Sequence, residues 1–168
     1  MNRTFPILLA AACAIARAQT GPLIGEAKQA YTGIKNNLTR MADKMPEEHY
    51  SFKPVPEIRT FGQLVAHVAD SQMRTCSAVK GEPKTPNAAS KTSKADLVAA
   101  LKESFADCDG AFESLTDATA AAMVKVGRGE RSKLGALTGV TTHSNEEYGY
   151  MAVYLRLKGI VPPSSEGR

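Results

Sequence analysis

Thr60-Phe61-Gly62-Gln63-Leu64-Val65-Ala66-His67-Val68-Ala69-Asp70-Ser71-Gln72-Met73-Arg74-Thr75-Cys76-Ser77-Ala78-Val79-Lys80-Gly81 is the stretch that decides the fold class. It opens on a capping box: Thr60 caps a new helix, and Gln63, three residues on, reaches back to it. Phe61, Leu64, Val65, Val68, Gln72, Cys76 and Val79 then follow at helical spacing and draw one inward-facing stripe. Gly81 closes the segment. A helix with one buried face needs neighbours with matching faces, and the rest of the chain supplies them.

Upstream, Ile24, Ala27, Tyr31, Ile34, Leu38, Met41 and Met45 alternate in steps of three and four and predict a helix from about Pro22 to Met45. Pro46 stops it, and Pro46, Pro54 and Pro56 make residues 46–59 an ordered crossing loop. Downstream, the polar stretch Glu82 to Thr92 reads as a long surface loop. Ser93-Lys94-Ala95-Asp96 starts a third helix, with Ser as cap and an acid in the first turn. Leu97, Leu101, Phe105, Cys108, Phe112 and Leu115 form its inner face. A short helical turn is expected from Asp117, and Val124 to Glu130, with Gly127 and Gly129, reads as loop. The fourth helix spans about Ser132 to Lys158, with Leu134, Leu137, Val140, Tyr148, Met151 and Leu155 inward. Gly159 caps it, Pro162-Pro163 forbid its continuation, and the tail beyond is expected to fray. There is neither an internal repeat nor strand-length alternation. The expectation is an all-α, antiparallel four-helix bundle with long crossing loops, in one domain over residues 19–168.

Residues 1–18 stand apart. Met1-Asn2-Arg3 gives a positive start, Phe5 to Ile15 a short apolar run, and Ala16-Arg17-Ala18 the small residues a signal peptidase reads, predicting cleavage before Gln19. A lipoprotein variant anchored at Cys13 is the lesser alternative. On this reading the mature chain is periplasmic or extracellular and has no stable membrane insertion, because no later segment is long and apolar enough to span a bilayer. Arg3 and Arg17 leave with the signal and no acid does, so the formal charge of +4 falls by two. What remains has no dense Lys/Arg cluster, which argues against nucleic acid as a partner. Cys76 and Cys108 are left. They are free to pair in an oxidising compartment, or to stay as small core residues on apolar helix faces. The oligomeric state stays open between a monomer and a homodimer.

The chain has three histidines, His49, His67 and His143. His67 borders the apolar arc of the second helix, beside Leu64 and Ser71. His143 lies at the edge of the arc of the fourth, and Glu147 follows it at i+4, on the same ridge. A pair at i and i+4 with one ligand from a neighbouring helix is how bundles build metal sites. Imidazole and carboxylate suit zinc, nickel or iron, and three protein ligands leave positions open for water or substrate. The spacing alone also fits surface or hydrogen-bonded side chains, since His-x-x-x-Glu recurs by chance. His49 reads as a solvent-facing loop residue. Asp70, one turn past His67, is placed either to orient an imidazole or to face solvent. Tyr148 and Tyr154 fit a pocket wall or the core, and Arg156 fits a salt bridge to the loop or to a helix end.

The run His143-Ser144-Asn145-Glu146-Glu147-Tyr148-Gly149, continued by Tyr154-Leu155-Arg156-Leu157-Lys158-Gly159-Ile160-Val161-Pro162-Pro163, resembles the C-terminal signature of the DinB-like superfamily. Pro46-Glu47-Glu48-His49-Tyr50-Ser51-Phe52-Lys53-Pro54, leading to Thr60-Phe61-Gly62-Gln63-Leu64 and His67-Val68-Ala69-Asp70-Ser71, is similar to its earlier part. The resemblance implies a four-helix bundle with a divalent metal ion on three residues, usually histidines: one from the second helix and a His-x-x-x-His pair from the last. Carried over, these are His67 and His143, with Glu147 where the pattern usually has His. Glu can ligate, and His-His-Glu is known zinc chemistry, but the change also fits a decayed site.

Two functions follow as expectations. One is an exported metal-dependent enzyme acting on a small molecule, a thiol S-transferase as in relatives or a hydrolase through metal-activated water. The other is a non-catalytic bundle that binds metal or a small ligand. An open pocket beside the donors would favour the first, a cavity filled by side chains the second.

Overall fold

The computed structural model describes residues 21–167, so the expected signal segment lies outside it. Four helices carry the fold: α1 (Pro22–Lys44), α2 (Phe61–Lys80), α3 (Lys94–Glu113) and α4 (Lys133–Leu157). Each starts as the sequence predicts. The capping box of Thr60 and Gln63 is formed in both directions, Ser93 and Ser132 cap α3 and α4 through their side chains, and Pro22 sits in the first turn of α1.

The inner stripes meet in one core. Leu38, Met41, Phe61, Val65, Val68, Cys76, Cys108, Leu137, Met151 and Leu155 are all removed from solvent. Burying an aliphatic or aromatic side chain of this size contributes roughly 1.5–3 kcal/mol. Tyr31 of α1 stacks on Phe112 of α3 at 4.2 Å. The crossing loop is also anchored. Tyr50 is buried, its hydroxyl donates to the Ala42 carbonyl at 2.7 Å, and its own carbonyl accepts from the Gly62 amide at 2.8 Å. A Cβ on Gly62 would lie 3.2 Å from both that carbonyl and Leu97, so the loop lies this close to α2 because residue 62 has no side chain.

Cross-helix pairs fix the directions. Lys35 of α1 meets Asp109 near the end of α3, while Lys94 at its start donates to the Asp43 and Met45 carbonyls at the far end of α1, so α1 and α3 run antiparallel. Gln72 and Cys76 of α2 meet Ser104 and Cys108 of α3 in ascending order, so these two run parallel. α4 lies antiparallel to α2: Tyr154 bonds the Arg59 carbonyl just before α2 begins, and Ser144 bonds Gln72. The order is therefore up-down-down-up, each helix with one parallel and one antiparallel neighbour. The parallel pair requires residues 81–93 to travel back along α2. A 3-10 turn (Ala88–Ser90) marks this return, and Asp70 fastens it by accepting from the Ala88 and Ala89 amides at 2.7 and 3.0 Å.

The bundle is all-α as expected, but its parallel α2–α3 pair departs from the expected antiparallel arrangement because residues 81–93 run back along α2. Two further details depart from the sequence expectation. Residues 123–132, expected as loop, form an antiparallel hairpin of β1 (Met123–Val126) and β2 (Gly129–Ser132). Its two-residue turn has Gly127 at φ 62°, the sign that strand-matching hairpin turns need at that position. Among the described residues, the tail is held rather than frayed. Pro163 is buried, Ser164 bonds Tyr148, and Glu166 pairs with Arg40 and Lys44 of α1. Cys76 and Cys108 are joined in a disulfide between α2 and α3, their Cα atoms 4.8 Å apart. Close by, buried Asp107 accepts from Lys80 and Lys84, each at 2.7 Å. Burial pushes its carboxyl up, but the two lysines outweigh this and hold it below the usual range. No helix among the described residues is long and apolar enough to cross a membrane.

Candidate metal centre

His67 stands in the second turn of α2, with His143 and Glu147 facing it from α4. The register between the helices is set by a buried polar bridge a little over one turn along α2: the Gln72 side chain donates to Ser144 and accepts from Ser104. Gln72 was legible as an inward position. Its two serine partners were not, because a lone Ser in a helix carries no periodic signal.

The three predicted residues come together. Nε2 of His67 and Nε2 of His143 are 3.0 Å apart. Oε1 of Glu147 lies 3.5 Å from the first and 3.6 Å from the second. A point equidistant from three atoms at these separations is about 2 Å from each, which matches bonds of roughly 2.0–2.2 Å from zinc to imidazole nitrogen and carboxylate oxygen. By these separations the donor set fits a small divalent ion.

The electrostatics point the same way. Glu147 is 4% exposed, and its Oε2 is buried without a hydrogen-bond partner among the described residues. Burial raises its carboxyl above the ordinary range, against the opposing pull of His143 and Arg59. Burial, then Arg59 and His143, lower His67 below the usual imidazole value, so its ring is neutral at neutral pH with a lone pair available. A buried carboxylate facing two ring nitrogens is an arrangement that a cation completes.

The rings border open space. His67 edges a cleft of about 370 Å³ together with Arg59, Gln63, Ser71, Arg74 and Lys91. His143 edges a second, of about 290 Å³, with Ser71, Thr75 and Arg131. The remaining candidates fall elsewhere. His49 lies in the 3-10 turn Glu47–His49 and takes no part in the cluster. Asp70 is held by the loop amides rather than by an imidazole, Tyr154 fixes the Arg59 carbonyl at 2.6 Å, and Arg156 donates to Ser165. Arg59 drew no attention in the sequence, since nothing there shows that a loop residue reaches two helices.

The family model of the DinB superfamily matches residues 30–151, a span that contains all three donors. Among solved structures, a DinB-like protein from Bacillus cereus superposes with a TM-score of 0.73 at 18% identity, covering 83% of this chain and 95% of that one. A DinB-like protein from Bacillus subtilis gives 0.63 at 19% identity, with coverage of 80% and 92%. At these identities the likeness is one of fold. No curated protein matches the chain.

Proposed function

The chain belongs to the DinB superfamily, and from that premise we propose that it holds one divalent ion on His67, His143 and Glu147 and uses it on a small-molecule substrate. One observation carries this reading: two imidazole nitrogens and a buried carboxylate oxygen, brought from two helices, stand 3.0–3.6 Å from one another. When bound, such an ion lowers the pKa of a coordinated water or thiol and so supplies a nucleophile near neutral pH.

The chain's own residues do the rest. His67 and His143 fix the direction of approach from facing helices, and Glu147 contributes the charge that holds a cation there. The two clefts on either side of Ser71 leave room for substrate. A site that had lost its use would be expected to fill that space with side chains, so the clefts support catalysis over a relic. Two His and one Glu favour zinc, with nickel and iron as the other candidates.

Of the two reactions we favour hydrolysis over thiol S-transfer. We read residues 1–18 as an export signal, and the Cys76–Cys108 disulfide supports an oxidising compartment. The second reading, a non-catalytic metal- or ligand-binding bundle, draws its support from Glu147 standing where the superfamily pattern has His.

The test is the metal content of the purified chain beside a His67→Ala, His143→Ala double variant. About one equivalent of zinc, nickel or iron, lost in the double variant, is the expected result. A chain that takes up no metal from any of these salts would sink the catalytic reading.

A further inference from the structure

A groove of about 760 Å³ opens beside the metal centre, lined by Ile58, Leu64, Tyr150, Val153 and Leu157 together with Arg59. Ile58, Tyr150, Val153 and Leu157 are 41–56% exposed, a cluster of large apolar side chains left in solvent on one face. Scattered exposed apolar residues need no explanation, whereas a contiguous group lining a concavity marks a binding surface.

Arg59 joins this groove to the donors, because it lines both the groove and the cleft that His67 borders. Its backbone is pinned to α4 by Tyr154. Arg59, Arg74 and Lys91, the cations around that cleft, form no ion pair among the described residues. Asp70, the one acid in the cleft lining, is engaged by two backbone amides. The cleft is therefore cationic. The groove carries a single charge of each sign, Glu57 and Arg59, and selects by apolar contact.

Resting on the metal-dependent reading above, we propose that the substrate is an amphipathic anion. Its anionic head, a carboxylate or an acidic ester group, sits at Arg59 and Arg74 beside the donors, and its apolar body lies in the groove against Leu64, Tyr150, Val153 and Leu157. From Glu147 to Leu157, α4 runs roughly 15 Å, enough for a medium-length acyl chain laid along it.

The probe is dodecanoate, titrated calorimetrically into the full chain, zinc-treated and metal-free. Acetate serves as the head without the body, and dodecyltrimethylammonium as the body with the opposite charge. Dodecanoate should bind saturably, and both controls should fail to bind. Arg59→Glu and Val153→Glu, each at an exposed position and each checked for an unchanged melting curve, should weaken dodecanoate by about tenfold or more.

A zinc-holding chain that ignores dodecanoate overturns this inference and leaves the metal reading intact. Dodecanoate binding with the same dependence on Arg59 and Val153, by a chain that takes up no metal, supports the amphipathic site while the metal reading falls. Equal binding of the ammonium amphiphile, or indifference to both substitutions, reduces the effect to apolar adsorption and overturns the proposal. A concentration-dependent dimer that Val153→Glu dissolves, with no dodecanoate bound, assigns the groove to a second copy and overturns it as well.

Discussion

On the metal reading proposed above, Glu147 is asked for opposite things with and without the ion. Without an ion, a buried carboxylate with one unsatisfied oxygen disfavours the folded state. Its folded pKa is raised by burial, so its contribution to stability is fully present below the unfolded value of about 4.3 and is lost as pH rises through the folded one. Glu147→Gln removes that titration. At neutral pH the metal-free variant should be more stable than the parent by about 1–2 kcal/mol, and the gain should shrink to nothing as pH falls through the carboxylate range. Addition of zinc should reverse the order, stabilising the parent and leaving the variant unmoved. Thermal melts of both chains across pH, with and without zinc, check this. If Glu147→Gln is no more stable without metal, the carboxylate is satisfied in some way the geometry does not show. The three clustered donors were legible at this scale because each is a distinct residue type on a definite helix ridge. Arg59 was not, since its importance comes from where a loop passes.

The helices could be read because each pairs a capping signal with an apolar stripe. The hairpin could not. β1 and β2 are four residues each; β1 alternates only as far as half-buried Val124 and Val126, β2 is almost wholly exposed, and only the Gly127-Arg128 pair between them hints at a turn. Asp70 was legible as a charged residue near His67 but not as the clasp for a loop eighteen residues ahead of it. Its bonds to the Ala88 and Ala89 amides are charge-assisted, the first part-buried and the second exposed. Asp70→Ala should cost about 1–3 kcal/mol and speed hydrogen exchange at Ala88 and Ala89 well above the change at the α2 amides. Unchanged exchange at those two amides would mean the return loop is held by other contacts. Because Lys91 rides on the same loop, loosening it should also blur the cationic edge of the cleft.

Over the whole molecule, the four-helix count and the core followed from periodicity, while the directions of the helices did not. A stripe says which face is buried and is silent on whether a neighbour runs up or down. That is decided by the length of residues 81–93, and it is also why the cysteine pairing stayed open: only the parallel register sets Cys76 opposite Cys108. With a sequence separation of 32, the bridge should contribute about 3–4 kcal/mol by restricting the unfolded chain. A Cys76→Ala, Cys108→Ala chain is expected to melt about 10 °C lower. An unchanged melting temperature would mean that helix packing alone fixes the α2–α3 pair.

The same bridge spans the exposed stretch Glu82–Thr85, where the chain leaves α2 for its return. A single backbone cut in this stretch would leave two polypeptides still joined covalently and still sharing one core. On a gel the nicked protein would migrate as a single band until a thiol reductant is added, and then as two. A chain of this design can be clipped in that exposed stretch without shedding either half of its bundle.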